Sequence, residues 1–241
     1  MSKNVFDISN ELMSNAYPGR GIIFGRTLDN KQNVVAYFIM GRSENSRNRI
    51  FVETEDGIRT QAYDPSKMTD PSLIIYHPVR QCGGKLVVTN GDQTDTICEY
   101  LREGKSYIDA LRTRQFEPDA PNYTSRISGV INEDGSYSLS ILKNFTSDRT
   151  SNKRFFYEYD KPVPGLGHFI HTYQCDGDPL PPFRGEPKCI RIEKPIKQFT
   201  EMLWTSMNEQ NKVALFVRYI DLATGAYWQE IRNKHEEGKN A

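Results

Sequence analysis

No GxGxxG, Walker loop, GxSxG or HExxH occurs anywhere in the 241-residue chain. The sequence therefore gives no support to a dinucleotide fold, a P-loop, a serine hydrolase or a zinc peptidase. Cysteine and histidine are scarce, with four of each. Cys82, Cys98, Cys175 and Cys189 form no CxxC pair, so neither a zinc knuckle nor a dithiol redox site is spelled out. Only His168 and His171 are close in sequence, and at that spacing on a strand they face opposite sides. No metal site is expected. No apolar run is long enough to span a bilayer, and residues 1–19 lack the apolar stretch of a secretory leader. The expectation is a cytoplasmic protein with four reduced thiols. Net charge is also missing: 31 basic residues balance 31 acidic ones. Nothing global points to nucleic acid or to a membrane surface. No internal repeat is evident.

What is present is aromatic and strand-rich. Aromatics make up 11% of the chain, too many for a disordered segment. Residues 1–16 read as an exposed leader or short helix. Residues 21–25 and 34–40 are strands around a turn at 29–33. Residues 50–53 and 58–62 flank Asp56-Gly57 as a second hairpin. An apolar run at 73–76 ends in Tyr76. Residues 128–132 and 137–142 form a third hairpin, and 154–159 and 168–173 are further strands. Residues 175–189 read as a long surface excursion. Pro195 opens a helix with Ile196, Phe199, Leu203 and Met207 on one face. Residues 213–220 and 226–231 close the chain as a hairpin, followed by a frayed tail. Many hairpins, two or three helices and no βαβ rhythm predict an α+β fold with largely antiparallel sheets.

Four stretches hold the chemistry-bearing residues. Residues 85–97, KLVVTNGDQTDTI, read as a strand, a turn and a helix start, with Asp92 or Thr94 placed to cap the helix. Such a turn is either a plain connection or a spot that receives an anion or polar ring. Across residues 18–50 there are six basic residues (Arg20, Arg26, Lys31, Arg42, Arg47, Arg49) against two acidic ones. The loop at residues 41–49, GRSENSRNR, with Arg42, Arg47 and Arg49, is either a solvated arginine cluster or a phosphate or carboxylate reader. Tyr76 is either core or a presented donor. Residues 116–129, FEPDAPNYTSRISG, hold Pro118 and Pro121 and are irregular. They either close a sheet or form a substrate loop whose carboxylate transfers protons.

Taken together and in order, YPGRGIIFG, GRSENSRNR, TNGDQTDTI and FEPDAPNYTSRISG resemble the archaeal-type IMP cyclohydrolase family. The resemblance spans roughly residues 17–130 and makes the chain a divergent, bacterial member of that family. It implies a four-layer α/β/β/α sandwich like the N-terminal nucleophile hydrolases, as one domain over residues 17–234. It does not imply that class's chemistry, because the only upstream nucleophile is Ser2. The implied reaction is ring closure of formamido-imidazole-carboxamide ribonucleotide to IMP with loss of water. No metal or cofactor is implied, and the partner is a small purine-pathway nucleotide. A homo-oligomer is left open.

The resemblance carries Arg49, Tyr76 and Glu117 over as catalytic residues. Glu117 and Tyr76 take the proton transfers, and Arg49 orients the substrate and stabilises charge. Arg20, Arg42 and Arg126 are phosphate candidates. Asn90, Gly91, Asp92 and Thr94 are placed on the carboxamide or ribose. Arg47 stands where the family has no arginine, so Arg47 and Arg49 could exchange roles. The acidic loop ends Thr124-Ser125-Arg126 where the family has proline before arginine. Two alternatives follow: an amidohydrolase of different specificity, and a binder of a related nucleotide without turnover.

Overall fold

In a computed structural model that describes residues 5–144 and 151–236, the chain builds two antiparallel sheets. Ser2 and the last five residues of the expected frayed tail lie outside the described residues. The first helix, α1 (Ile8–Ser14), is capped by Asp7, whose carboxylate accepts from the Ser9 and Asn10 amides. Strands β1 (Arg20–Arg26) and β2 (Gln32–Met40) form the first hairpin, with Asn30 at positive φ in the turn. A short helix, α2 (Glu44–Arg47), precedes β3 (Arg49–Thr54) and β4 (Gly57–Ala62). Then come β5 (Val79–Cys82), β6 (Lys85–Thr89), α3 (Gln93–Arg102) and α4 (Tyr107–Arg112). Strands β7 (Arg126–Ile131), β8 (Tyr137–Asn144), β9 (Asn152–Tyr159), β10 (Leu166–His171) and β11 (Lys188–Arg191) follow. Helix α5 (Ile196–Ser206), β12 (Lys212–Asp221) and β13 (Tyr227–Asn233) end the order.

The six-stranded sheet runs β11-β10-β1-β2-β12-β13, and the seven-stranded sheet runs β3-β4-β5-β6-β7-β8-β9. The second sheet is thus built from the middle of the chain, between the two halves of the first. Alternation in β2 places its residues in two cores. Val34, Ala36, Phe38 and Met40 pack with Leu12, Phe199, Leu203 and Trp204 from α1 and α5. Val35, Tyr37 and Ile39 pack between the sheets against Phe51, Val79, Val88 and Ile141. A third core joins Ile97, Cys98, Ala110 and Leu111 of α3 and α4 to Val87 and Val130 on the outer side of the second sheet. The fold is α+β with two antiparallel sheets and few helices, as the hairpin pattern predicts.

Several local expectations change. Of the two readings of residues 1–16 the short helix holds and the exposed leader does not, since Ile8 and Leu12, at i, i+4, bury against α5. The apolar run at 73–76 lies in a turn. Tyr76 is held by Thr60, whose amide donates to the Tyr76 carbonyl and whose Oγ1 accepts from the Tyr76 amide, both at 2.9 Å. The excursion at 175–189 is not wholly at the surface, because Leu180 and Phe183 are buried and β11 begins at Lys188. Cys82 and Cys98 are joined as a disulfide between β5 and α3, which replaces the expectation of four free thiols. Their Cα atoms lie 5.4 Å apart, within bridging range. Cys175 and Cys189 are free. Among the described residues no helix is long and apolar enough to cross a membrane.

Candidate active site

The β1 strand delivers Arg20 at its first position, and β3 delivers Arg49 at its first position, both into the interior. Arg49 is fully buried (0% exposed). Its Nε donates to the Ser46 carbonyl at 2.8 Å, while Nη1 and Nη2 have no hydrogen-bond partner among the described residues. Burial, then the charge of Arg20, lowers the Arg49 pKa. Arg20 is also lowered by burial, but Tyr173, Glu117, Tyr76 and Tyr17 outweigh that and hold it well above its usual value. Its Nε is another buried atom with no hydrogen-bond partner among the described residues. Two adjacent guanidiniums with three unpartnered nitrogens leave a strongly polar, anion-seeking spot inside the protein.

Glu117 closes this spot from the irregular loop before β7. Its amide donates to the Thr124 carbonyl at 2.8 Å, which folds the loop back on itself. The carboxyl is 1% exposed, and Oε1 has no hydrogen-bond partner among the described residues. Burial raises its pKa to about 7, although Arg20 and Arg126 pull it down. A carboxyl tuned to neutrality accepts and returns a proton with equal ease at pH 7.

The 89–97 stretch supplies a scaffold rather than free donors. Asn90 Oδ1 accepts from the Ile127 amide and from Gln93 Nε2, and its Nδ2 donates to the Ser125 carbonyl. Thr94 Oγ1 is bound to Thr89 Oγ1 at 2.6 Å and to the Gly91 carbonyl. Asp92 stands at the start of α3 but makes no side-chain cap, and Thr94 lies inside the helix, so neither caps as expected. Asp92 instead reaches Arg126 at 2.7 Å and Arg114 at 2.5 Å, because two guanidiniums outcompete backbone amides for a carboxylate. Arg126 Nη1 also donates to Gln93 Oε1 at 2.6 Å. Gly91 sits against all of this. A Cβ there would lie 2.6 Å from Arg126 Nη1, 2.8 Å from Gln93 Oε1 and 3.4 Å from Glu117 Oε1. Gly91→Ala is therefore expected to destabilise the fold by about 1–3 kcal/mol and to break the Arg126–Asp92 pair. Denaturant unfolding of the variant measures that loss.

Arg20, Arg49, Tyr76, Glu117, Gly91 and Arg126 gather in one region, linked by the contacts and electrostatic couplings above. Arg42 and Arg47 do not join it. Arg42 pairs at the surface with Asp176 at 2.6 Å and lies 5.2 Å from the Tyr17 ring centre. Arg47 donates to the Gly41 carbonyl and to Asn211 Oδ1. The sequence reading passed over Tyr37, Gln93, Tyr173 and Arg114. Tyr37 carried a usable signal: a tyrosine inside the buried run at 34–40 of β2 needs a partner for its hydroxyl. That partner is Tyr76, with the two Oη atoms 2.8 Å apart. Tyr173, pushed up to about 12 by burial, bonds Thr124 Oγ1, which is also bound to Asp119. A cavity of about 450 Å³ lined by Asn33, Glu133, Arg218 and Tyr227 contains none of these residues. It lies toward the other end of β1, where Asn33 pairs with Arg26. Among the described residues no group of three or more His, Cys, Asp and Glu side chains is arranged to hold a metal ion.

A profile of the family described as "IMP cyclohydrolase-like protein" matches residues 17–225. The chain is 28% identical over 166 residues to the IMP cyclohydrolase of Methanococcus aeolicus, covering 66% of this chain and 75% of that protein. It is 27% identical over 162 residues to the IMP cyclohydrolase of Methanopyrus kandleri, covering 65% and 75%. The similarity to the IMP cyclohydrolase of Halobacterium salinarum is 30% over 131 residues, covering 53% of this chain and 63% of that protein.

Proposed function

This chain belongs to the IMP cyclohydrolase-like family, and from that membership we propose that it is an enzyme closing the purine ring of formamido-imidazole-carboxamide ribonucleotide to give IMP and water. The site observation that carries the reading is the unpartnered, fully buried Arg49 guanidinium beside Arg20, Tyr76 and a Glu117 tuned to about 7.

The chemistry needs positioning and proton movement. The two reacting groups already share one ring, so the site must hold the carboxamide nitrogen against the formyl carbon. In the first half the N–C bond forms, a nitrogen proton goes to Glu117, and Tyr76 protonates the former carbonyl oxygen. Glu117 then hands that proton on to Tyr76. In the second half the other ring nitrogen gives its proton to Glu117, the C–O bond breaks with its pair on oxygen, and a proton from Tyr76 lets that oxygen leave as water. A second transfer from Glu117 to Tyr76 restores both side chains, so both N–H protons end on the water. Arg49 stabilises the charge that builds on the oxygen. Arg20 and Arg126 hold the anionic part of the nucleotide. Asn90, Asp92 and Thr94 act by fixing the turn that carries Gly91 and by steering Arg126.

The same reading takes residues 17–234 as one domain and the layering as a four-layer α/β/β/α sandwich of the N-terminal nucleophile hydrolase type. It is supported by the three cores, which lie in turn between α1 and α5 and the first sheet, between the two sheets, and between the second sheet and α3 and α4. The site then lies where both sheets contribute an arginine at a strand start.

The test is a spectrophotometric assay with the formylated carboxamide ribonucleotide, following purine-ring absorbance. Wild type is expected to cyclise it well above the spontaneous rate. Tyr76→Phe is expected to lose about 10²-fold or more in turnover, the ordinary scale of acid–base assistance. Tight binding without turnover by the wild type would replace the enzyme reading with that of a nucleotide-binding module.

A further inference from the structure

Tyr37 is the buried polar group that the reaction as written does not use. Its ring is fully enclosed on β2 between the two sheets, with the Phe51 ring 5.7 Å away. Among the described residues its hydroxyl has one hydrogen-bond partner, the Tyr76 hydroxyl at 2.8 Å. Tyr76 is itself only 5% exposed, and its backbone is clamped at both amide and carbonyl by Thr60. The Tyr76 ring is thus fixed at its base by the backbone, and its tip is fixed by one side chain.

We propose that Tyr37 is a positioning residue for ring closure, setting the direction in which the Tyr76 hydroxyl presents its proton. This rests on the reading of Tyr76 as a proton donor given above. Each of the two hydroxyls carries one hydrogen, and one hydrogen lies between them. When Tyr37 donates, the Tyr76 hydrogen is free for the substrate oxygen. The Tyr76 O–H, which has two in-plane orientations about its ring carbon, is reduced to the one that faces the site. The same bond strengthens when Tyr76 gives its proton away, because a hydroxyl that donates to a phenolate makes a charge-assisted bond. Burial, then the neighbouring Tyr76, keeps Tyr37 in its protonated, donating form, against the opposing pull of Arg20 and Arg49. No atom of Tyr37 is consumed. The proton that leaves Tyr76 goes to the departing oxygen, and the one that restores it comes from Glu117.

The distinguishing experiment is a double-mutant cycle on Tyr37→Phe and Tyr76→Phe, with kcat and KM measured across pH. Tyr37→Phe keeps the ring and its packing, so its thermal midpoint checks folding independently. The expected result for Tyr37→Phe is a fall in kcat of about 10- to 100-fold with KM within about twofold, the scale of one hydrogen bond to a charge-bearing group. The basic limb of its kcat–pH profile is expected to move. In the Tyr76→Phe background the Tyr37 substitution should do nothing further. A Tyr37→Phe loss that persists undiminished without the Tyr76 hydroxyl, or that appears in KM alone, overturns the positioning role. A full-rate Tyr37→Phe beside a crippled Tyr76→Phe removes this inference and leaves the reaction assignment intact. A full-rate Tyr76→Phe removes the assignment of Tyr76, and Tyr37 falls with it.

Discussion

Glu117→Gln is expected to cost about 10³-fold in cyclisation and, at the same time, to make the protein more stable above pH 7. The kinetic loss follows from removing the group that takes protons from two nitrogens in turn, since acid–base assistance is worth about 10²–10⁴-fold. The stability gain follows from linkage. The Glu117 pKa rises from an ordinary 4.5 to about 7, burial being the largest cause. Between those values the folded protein keeps a proton that the unfolded chain has released, so the native state binds more protons than the unfolded one. Stability therefore falls as pH rises through that window and stays reduced above it. At about 1.4 kcal/mol per pH unit the reduction reaches about 3 kcal/mol. The carboxyl is essentially unexposed, so solvent screening does not discount it. Glutamine does not titrate. Its variant should melt at nearly the wild-type temperature at pH 4 and roughly 6–12 °C higher at pH 8. Thermal unfolding at the two pH values reads the sign directly. Equal melting points at pH 8 would mean that Glu117 is not held neutral by its surroundings.

The hairpins and the α5 stripe were legible because strand and helix periods survive in the sequence wherever one face is buried. For the α1 segment the sequence left a leader and a short helix open, because seven residues offer only Ile8, Leu12 and Met13 as apolar markers, and what buries the first two is α5, nearly 200 positions away. The setting of Tyr76 was not legible for a different reason. Its run, Leu73-Ile74-Ile75-Tyr76, has strand composition, but Thr60 captures its backbone before it can pair as a strand. At the site, the resemblance singled out Arg49, Tyr76 and Glu117, and the fold brings them into one region. It could not say that Asn90 and Thr94 spend their hydrogen bonds within the turn, or that Arg42 and Arg47 turn outward to Asp176 and Asn211. Those outcomes depend on which acceptors the tertiary fold brings near. Tyr37 is the instructive omission, since its position in β2 marks it as core and only its partner across the sheets makes it more than that.

Arg49 is the residue whose removal should separate function from stability most sharply. A buried charge without a counter-ion is costly to keep, and the Arg49 Nη1 and Nη2 atoms have no hydrogen-bond partner among the described residues. The guanidinium also lies in the field of Arg20, a like charge. Arg49→Met keeps the length of the side chain and removes the charge. It gives up the Nε bond to the Ser46 carbonyl, worth about 1 kcal/mol. The relief of a buried charge is worth about 1–4 kcal/mol, so Arg49→Met should unfold at a higher temperature than wild type in ligand-free buffer. The order should then reverse with product present. IMP at 100 times its dissociation constant stabilises a binding-competent fold by about 2.7 kcal/mol, and a variant without the fork should lose most of that increment. Turnover should fall by about 10²–10³-fold, the cost of losing one preorganised donor to a developing oxyanion. Arg49→Lys should recover the charge without the planar fork and restore little of the rate. Melting curves of the three proteins with and without IMP, beside their cyclisation rates, decide the matter. If Arg49→Met is less stable than wild type in ligand-free buffer, the guanidinium is holding the fold rather than waiting for substrate.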